Sequence, residues 1–328
     1  MLIICTMIVV FMLIFTNALT DAANSISTLV GTKVMSFRKA ALMSAVFDFL
    51  GVVVMSFINI SIAGCISKIV TLSSDDLGII GFGVAMASVV LFSLCALKVG
   101  IPTSETHGLM AGLTGSGIAI SGISAINFSE WGVIAEGLLL SVVCTIIFSI
   151  FIGAIREKCN ETAKTKKAQI LATCGMSFIH GAQDGQKFVG FLIILCSIIT
   201  NTIIPTKINV NDYIWIIFAT AFTMAIGVAI GGKKIVNTVG NGIVKLNNHE
   251  ALNSDIASLG TLILASLFGF PVSTTHVKIM SIIGVGGFLN KKIDRNKFIS
   301  VIKVWILTFP ICGIFSFVVT SIIKLLFF

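Results

Sequence analysis

Charge is what this sequence has least of. Only 11% of its 328 residues are Asp, Glu, Lys or Arg, against roughly 25% in an ordinary soluble domain, while 56% are hydrophobic and the mean hydropathy is +1.07. That scarcity excludes a single aqueous fold, which has no room for so much apolar side chain. Apolar stretches long enough to span a bilayer recur at residues 40–63, 78–97, 132–155 and 215–230. Residues 1–15 lack the basic start and small-residue cleavage pattern of a signal peptide, so they are expected to form a retained first helix. The eight cysteines, Cys5, Cys65, Cys95, Cys144, Cys159, Cys174, Cys196 and Cys312, include no CxxC pair and have no His at metal spacing. They are expected to be reduced, buried packing residues. A net charge of +8 would suggest nucleic acid for a soluble protein. Here the basic residues gather in short loops between apolar spans, so the expected partner is a lipid bilayer and not nucleic acid.

Against this background the chain repeats itself. A Pro-x-Ser-x-Thr-His segment from Pro102 to His107 returns from Pro271 to His276, and each copy leads into a Gly-rich apolar run. Two of the four prolines lie in these copies. Upstream, the polar stretch around Asp21 and Asn24 is echoed by His180, Gln183, Asp184 and Lys187. Asp21 precedes His107 by 86 residues and Asp184 precedes His276 by 92, so two signatures recur in one order at nearly one distance. Each half contains about five apolar elements, and an odd number sends the second half into the membrane inverted relative to the first. The expected architecture is an all-α polytopic membrane protein of two inverted-topology repeats, residues 1–155 and 170–328, with broken or re-entrant helices. A cytoplasmic linker, residues 156–169, joins them. With both termini outside, residues 33–39, 156–167, 233–255 and 291–297 face the cytoplasm and hold 15 of the 22 Lys and Arg.

Ionisable residues inside apolar spans are the candidate site. A carboxylate at membrane depth costs about 2.5–3.5 kcal/mol on insertion scales, so it faces a cavity, an ion or a partner. Asp21 and Asp184 take matching places among small polar residues and glycine, where a helix can break and expose its backbone groups. Either could alternatively cap a helix at the membrane surface, but the matched pair favours a site. The two Pro-x-Ser-x-Thr-His copies suit an anion. Proline sets a helix start, and the following hydroxyls and free amides point at bound oxygens with the helix dipole behind them. The same hydroxyls could also ligate a small cation or simply cap their own helix. His107, His180 and His276 could shuttle protons, bind metal or donate structural hydrogen bonds, the last being the expected role. Glu105 stands where the second copy has Thr274, and Lys187 where the first half has Asn24, so the two sides differ in charge. Lys187 could meet an anion, neutralise an aspartate or snorkel. Asp48 and Glu136 each read as a cation ligand or a polar contact between helices, the second being the expected role of Glu136. Lys98, Lys278 and Lys303 are expected to snorkel at span ends, and His249 to lie in a polar loop without a role.

Taken together these signatures resemble the PiT-type inorganic phosphate transporters over nearly the whole chain. The resemblance rests on Asp21 to Asn24, His180 to Lys187 and Pro271 to His276 in their joint order. It departs from the family at Ala18, Leu19 and Thr20 before Asp21, and at Glu105, where Ser or Thr is usual. The resemblance implies an inverted-repeat homodimer in the cell membrane that symports phosphate with sodium or protons, sulfate permeases being the alternative within the wider family. Carried over, Ser104, Thr106, Ser273, Thr274, Thr275, Asn24 and Lys187 are the phosphate-side candidates. Asp21, Asp184, Asn24, Glu105 and Asp48 are the cation-side candidates, with Na+ at Asp21 and Asp184, and Gln183 and the three buried-motif histidines stand beside them. No cofactor is expected beyond the coupling ion. An intramembrane metalloprotease would want HExxH, which is absent, and duplication of Ser104 and His107 at Ser273 and His276 fits a two-sided site better than a hydrolase nucleophile. An ion channel remains open on sequence, because a pore also uses hydroxyls and carbonyls.

Overall fold

The computed structural model describes residues 1–156, 163–204 and 208–328. A bilayer offers no hydrogen bonds to backbone groups, so apolar spans satisfy theirs internally as helices. The first half runs through α1 (Leu2–Thr20), α2 (Ala22–Gly31), α3 (Phe37–Ile58), a short α4 (Ser61–Ile66), α5 (Asp76–Val99), α6 (Glu105–Ser121) and α7 (Phe128–Arg156). The second runs through α8 (Ala163–Thr200), α9 (Ile214–Ile230), a short α10 (Lys233–Asn237), α11 (Asn248–Phe268), α12 (Thr274–Phe288) and α13 (Arg295–Phe327). Among the described residues eight helical stretches are long and apolar enough to cross a membrane, α1 with α2 counting as one. The expected all-α polytopic class is what the chain adopts. Helices α6 and α12, at 17 and 15 residues, are not among those eight. At about 1.5 Å per residue each falls short of a core about 30 Å thick, and each starts in the protein interior.

Both short helices follow the same sharp reversal. Gly100 and Gly269 end α5 and α11 at φ +77° and +74°, a left-handed conformation that L side chains rarely adopt. Pro102 and Pro271 come two residues later, keeping Ile101 and Phe270 extended so that the chain cannot continue as helix. At the starts of the long helices, Asp75 caps α5 and an Asn247–Glu250 capping box opens α11. The Ser73 hydroxyl, 2.6 Å away, and the Gly78 amide hold the Asp75 carboxyl below its usual range.

Helix α8 is the axis of the molecule, 83% of its apolar window being buried inside the protein, whereas α7 and α13 are 22% buried and present their apolar faces outward. It packs against α3 backbone to backbone. A Cβ on Gly181 would strike the Asp48 carbonyl, and one on Gly51 would strike that of Phe178. This close approach sets Asp48 beside His180.

Connecting segments gather at two ends. Asn241 Nδ2 donates to the Gly31 carbonyl (2.8 Å), Val244 pairs with Ile293, Thr32 reaches Gln169 (3.3 Å) and Lys234 reaches the Lys98 carbonyl (3.0 Å). The described parts of all four basic segments therefore share one end. At the other end, Val70 pairs with Ile126 and Asn59 donates to the Ser266 carbonyl (3.2 Å).

Several expectations need correction. Residues 163–169 of the expected linker are already the first turns of α8, with Gln169 fully buried; residues 157–162 lie outside the described set. Lys278 does not snorkel: it is 0% exposed and ion-paired to Asp255, which is itself buried within α11 and not in a loop. His249 is buried in the first turn of α11. Glu136 is exposed on α7. Cys5 and Cys95 face outward although Cys65, Cys174 and Cys312 are buried, and Cys159 is outside the described residues. An outward face of a span is apolar like the core, so a small apolar side chain is tolerated on either.

Candidate functional site

The two Pro-x-Ser-x-Thr-His copies meet head to head. Ser104 and Ser273 are the N-caps of α6 and α12, and the Ser104 hydroxyl donates to Ser273 Oγ at 3.0 Å. Two helix N-termini thus converge on one point; the His107 and His276 amides bond back to the Ser104 carbonyl and the Ser273 hydroxyl, and the two amides ahead of each have no partner inside their own helix. Their dipoles add positive potential there, which favours an anion.

Around this point the polar side chains form two groups of the same design. On one side, Thr275 donates to Asp21 Oδ1 (3.0 Å) and accepts from Asn24 Nδ2 (2.8 Å). On the other, Lys187 Nζ donates to Asp184 Oδ1 (2.7 Å) and to Thr106 Oγ1 (2.9 Å). Thr275 and Thr106 hold the same place in the two Pro-x-Ser-x-Thr-His copies, and each serves the aspartate of the other signature. The chain turn at Asp21 makes this possible. Between α1 and α2 the Asn24 amide bonds to the Asp21 carbonyl (2.9 Å), tightening the turn and pointing both side chains inward.

Beyond that shared design the sides differ. Glu105 accepts from Thr20 Oγ1 at 2.8 Å, and Asn17 Nδ2 lies 3.4 Å from Asp21 Oδ2. Buried oxygens without a partner collect here: Asn17 Oδ1, Asn24 Oδ1 and Glu105 Oε2. On the Asp184 side, His180 Nδ1 is 2.5 Å from Asp48 Oδ1 and its Nε2 is 3.1 Å from Asp184 Oδ2. Thr274 adds a 3.4 Å bond to Asp184 Oδ2, and Lys187 also donates to the Val272 carbonyl (2.5 Å). Every one of these side chains is buried, so the site is closed from both ends. The His107 and His276 rings meet at a tilt of 59° with centroids 4.6 Å apart, and the Trp305 ring centroid lies 3.7 Å from that of His276, forming an aromatic wall beside the paired helix starts.

The sequence candidates thus gather around the two helix starts, Asp48 only through His180 and Gln183 only through the Val272 amide. Gln183 bonds to Ser266 Oγ (2.9 Å) and receives the Val272 amide (3.5 Å), so it fastens α8 to α11 and to the approach of α12. Asn17, Thr20 and Trp305 were not among the candidates. The first two lie within one helical turn of Asp21, a spacing that could have found them, whereas nothing local marks Trp305.

Comparison with known proteins agrees with this geometry. The phosphate transporter family matches residues 17–167 and again 154–316. A probable low-affinity inorganic phosphate transporter of Bacillus subtilis (strain 168) is 30% identical over 322 residues, covering 95% of this chain and 94% of that protein. One from Rhizobium meliloti (strain 1021) is 28% identical, covering 92% and 90%. A solved structure described as the sodium-dependent phosphate transporter superposes with a TM-score of 0.85 at 23% identity, covering 99% of both chains, and so shares the fold. The relatives are named as transporters and not as enzymes, and the chain belongs to the phosphate transporter family.

Proposed function

We propose that this protein is a secondary active transporter that carries inorganic phosphate across the cytoplasmic membrane with a coupling cation. The observation that carries this reading is the 3.0 Å contact of Ser104 with Ser273, which brings two helix N-termini from different parts of the chain to one buried point. Ser104, Thr106, Ser273, Thr274 and Thr275, with the first-turn amides, would bind phosphate oxygens. A divalent anion in a low-dielectric core needs compensating charge, and the carboxylates beside it supply a place for cations. Sodium is the coupling ion favoured by the carboxylate, hydroxyl and amide oxygens around Asp21, and the solved structure with this fold is described as sodium-dependent. The halves, residues 1–155 and 170–328, would be inverted repeats whose rocking exposes the site to one side at a time. The end that collects the basic segments would face the cytoplasm, leaving both termini outside.

The test is uptake of radiolabelled phosphate into proteoliposomes, with sodium and proton gradients imposed separately and sulfate as competitor. Uptake above the equilibrium level under one of the gradients, resistant to excess sulfate, is expected. Equilibration that ignores both gradients would indicate a channel and refute the proposal.

A further inference from the structure

We infer that Lys187 is a tethered cation that permanently fills one of two equivalent cation positions, so that a single mobile coupling ion, held on the Asp21 side, accompanies each phosphate. This rests on the transport reading above and narrows it, since sequence alone suggested a cation at both aspartates.

The argument begins with the matched groups. Asp21, Asn24 and Thr275 form one; Asp184, Lys187 and Thr106 form the other, with the corresponding aspartate and threonine contacts at 3.0 Å and, through the ammonium, 2.7 and 2.9 Å. The chain thus places Lys187 where the first group has Asn24. Lys187 is 2% exposed, so its ammonium is not reaching for an interface. An ammonium has three donors, and all three are used: a carboxylate oxygen of Asp184, the hydroxyl of Thr106 and the carbonyl of Val272. Carboxylate, hydroxyl and carbonyl oxygens are also what a hard alkali cation would take from such a pocket. The ammonium therefore satisfies the oxygens a mobile ion would need, and supplies the same single positive charge.

The Asp21 side is complementary. An asparagine brings an amide oxygen in place of a cation, and that Oδ1 has no partner although Asn24 is 1% exposed. Asn17 Oδ1 and Glu105 Oε2 are likewise buried and unpartnered; on the other side Asp48 Oδ2 is too, but Asp48 is already paired with His180, which stands between it and Asp184. Buried acceptors are normally hydrogen-bonded, and several left unmatched next to two carboxylates define a place for a positive charge. No salt bridge among the described residues reaches Asp21 or Glu105, in contrast to Asp184. Glu105 in place of Thr274 strengthens the asymmetry, adding negative charge to the side that has no fixed cation.

The consequence is a countable stoichiometry. In proteoliposomes, paired fluxes of labelled cation and labelled phosphate, with the driving gradient identified first, are expected to give one cation per phosphate. Lys187→Asn rebuilds the Asn24 arrangement on the second side, so the ratio should rise to two and the cation dependence of uptake should become cooperative. Lys187→Arg keeps the charge and should stay at one. If wild type carries two cations per phosphate, or if Lys187→Asn transports with the ratio unchanged, the inference is wrong while the transport reading stands. If Lys187→Asn does not transport, the wild-type ratio alone decides. Wild type without gradient-driven phosphate uptake would instead overturn the transport reading itself.

Discussion

The ion pair between Lys278 and Asp255 allows a quantitative test of how charge is tolerated in this core. Thr28 joins it, donating to Asp255 Oδ1 (2.7 Å) and accepting from Lys278 Nζ (3.0 Å), so the pair ties α2, α11 and α12 together. Both charged residues are 0% exposed. The corresponding places in the first half, counted from Gly100 and His107 as these are from Gly269 and His276, hold Met86 and Leu109, both buried. The same scaffold therefore packs with apolar side chains. Removing one partner of a buried pair costs about 3–5 kcal/mol, because the other charge is stranded. Lys278→Leu and Asp255→Met should each lose about that much. The double variant reproduces the packing of the other half and should lose only about 1–3 kcal/mol, the cost of leaving the Thr28 hydroxyl without its partners. The assay is a double-mutant cycle on denaturant unfolding of the purified protein in detergent. If the double variant loses the sum of the single losses, about 6–10 kcal/mol, the two charges do not act as a pair and the reasoning fails.

Four further outcomes are expected. Ser104→Ala with Ser273→Ala removes both ends of one hydrogen bond and the Ser273 cap on the His276 amide, so stability should fall by only about 0.5–2 kcal/mol, while phosphate affinity should fall about 10-fold or more per hydroxyl lost to a charged ligand; unchanged apparent affinity would reject the assignment. Gly181→Ala places a methyl against the Asp48 carbonyl and should cost about 1–3 kcal/mol or more in unfolding measurements while separating His180 from Asp48; a neutral result would mean α3 and α8 are not tightly held. Asp21→Asn should weaken the cation dependence of phosphate binding, which titration of binding against cation concentration would read, and wild-type dependence would make Asp21 structural. Ser36 and Ser124 are exposed at opposite ends, so Ser36→Cys should react with an impermeant thiol reagent only from the cytoplasmic side and Ser124→Cys only from outside; the reverse pattern would invert the threading.

How much of this was legible beforehand depended on whether the signal was local. Apolar length marks a span wherever it occurs, so α3, α5, α7 and α9 fall close to the apolar stretches at residues 40–63, 78–97, 132–155 and 215–230. Duplicated Pro-x-Ser-x-Thr-His segments were visible because proline and hydroxyls do the same work in each copy. Lys278 was misread because a lysine near the end of an apolar run looks the same in sequence whether it snorkels or meets a buried acid, and its partner is 23 residues away on another helix. Asp255 was placed at the end of the cytoplasmic stretch 233–255 for the complementary reason. The Asn248–Phe268 helix opens with several polar residues, and these lower the hydropathy that would have marked it as a span.

The asymmetry of the site follows from what duplication does and does not preserve. Backbone devices survive in both copies, because the αL glycine and the proline two residues on are needed wherever a helix is to begin inside the protein, and a serine holds each N-cap position although only Ser273 bonds to its own first turn. The side chains between them are free to differ, provided that total charge around a buried anion stays compensated. Glu105 against Thr274 and Asn24 against Lys187 are two such differences, and they act in the same direction: the Asp21 side gains negative charge and the Asp184 side gains positive charge. Under the proposed mechanism a mobile cation would be attracted to the first and excluded from the second. Two helix starts that are structurally alike can therefore present one anion with a fixed cation on one flank and an exchangeable cation on the other.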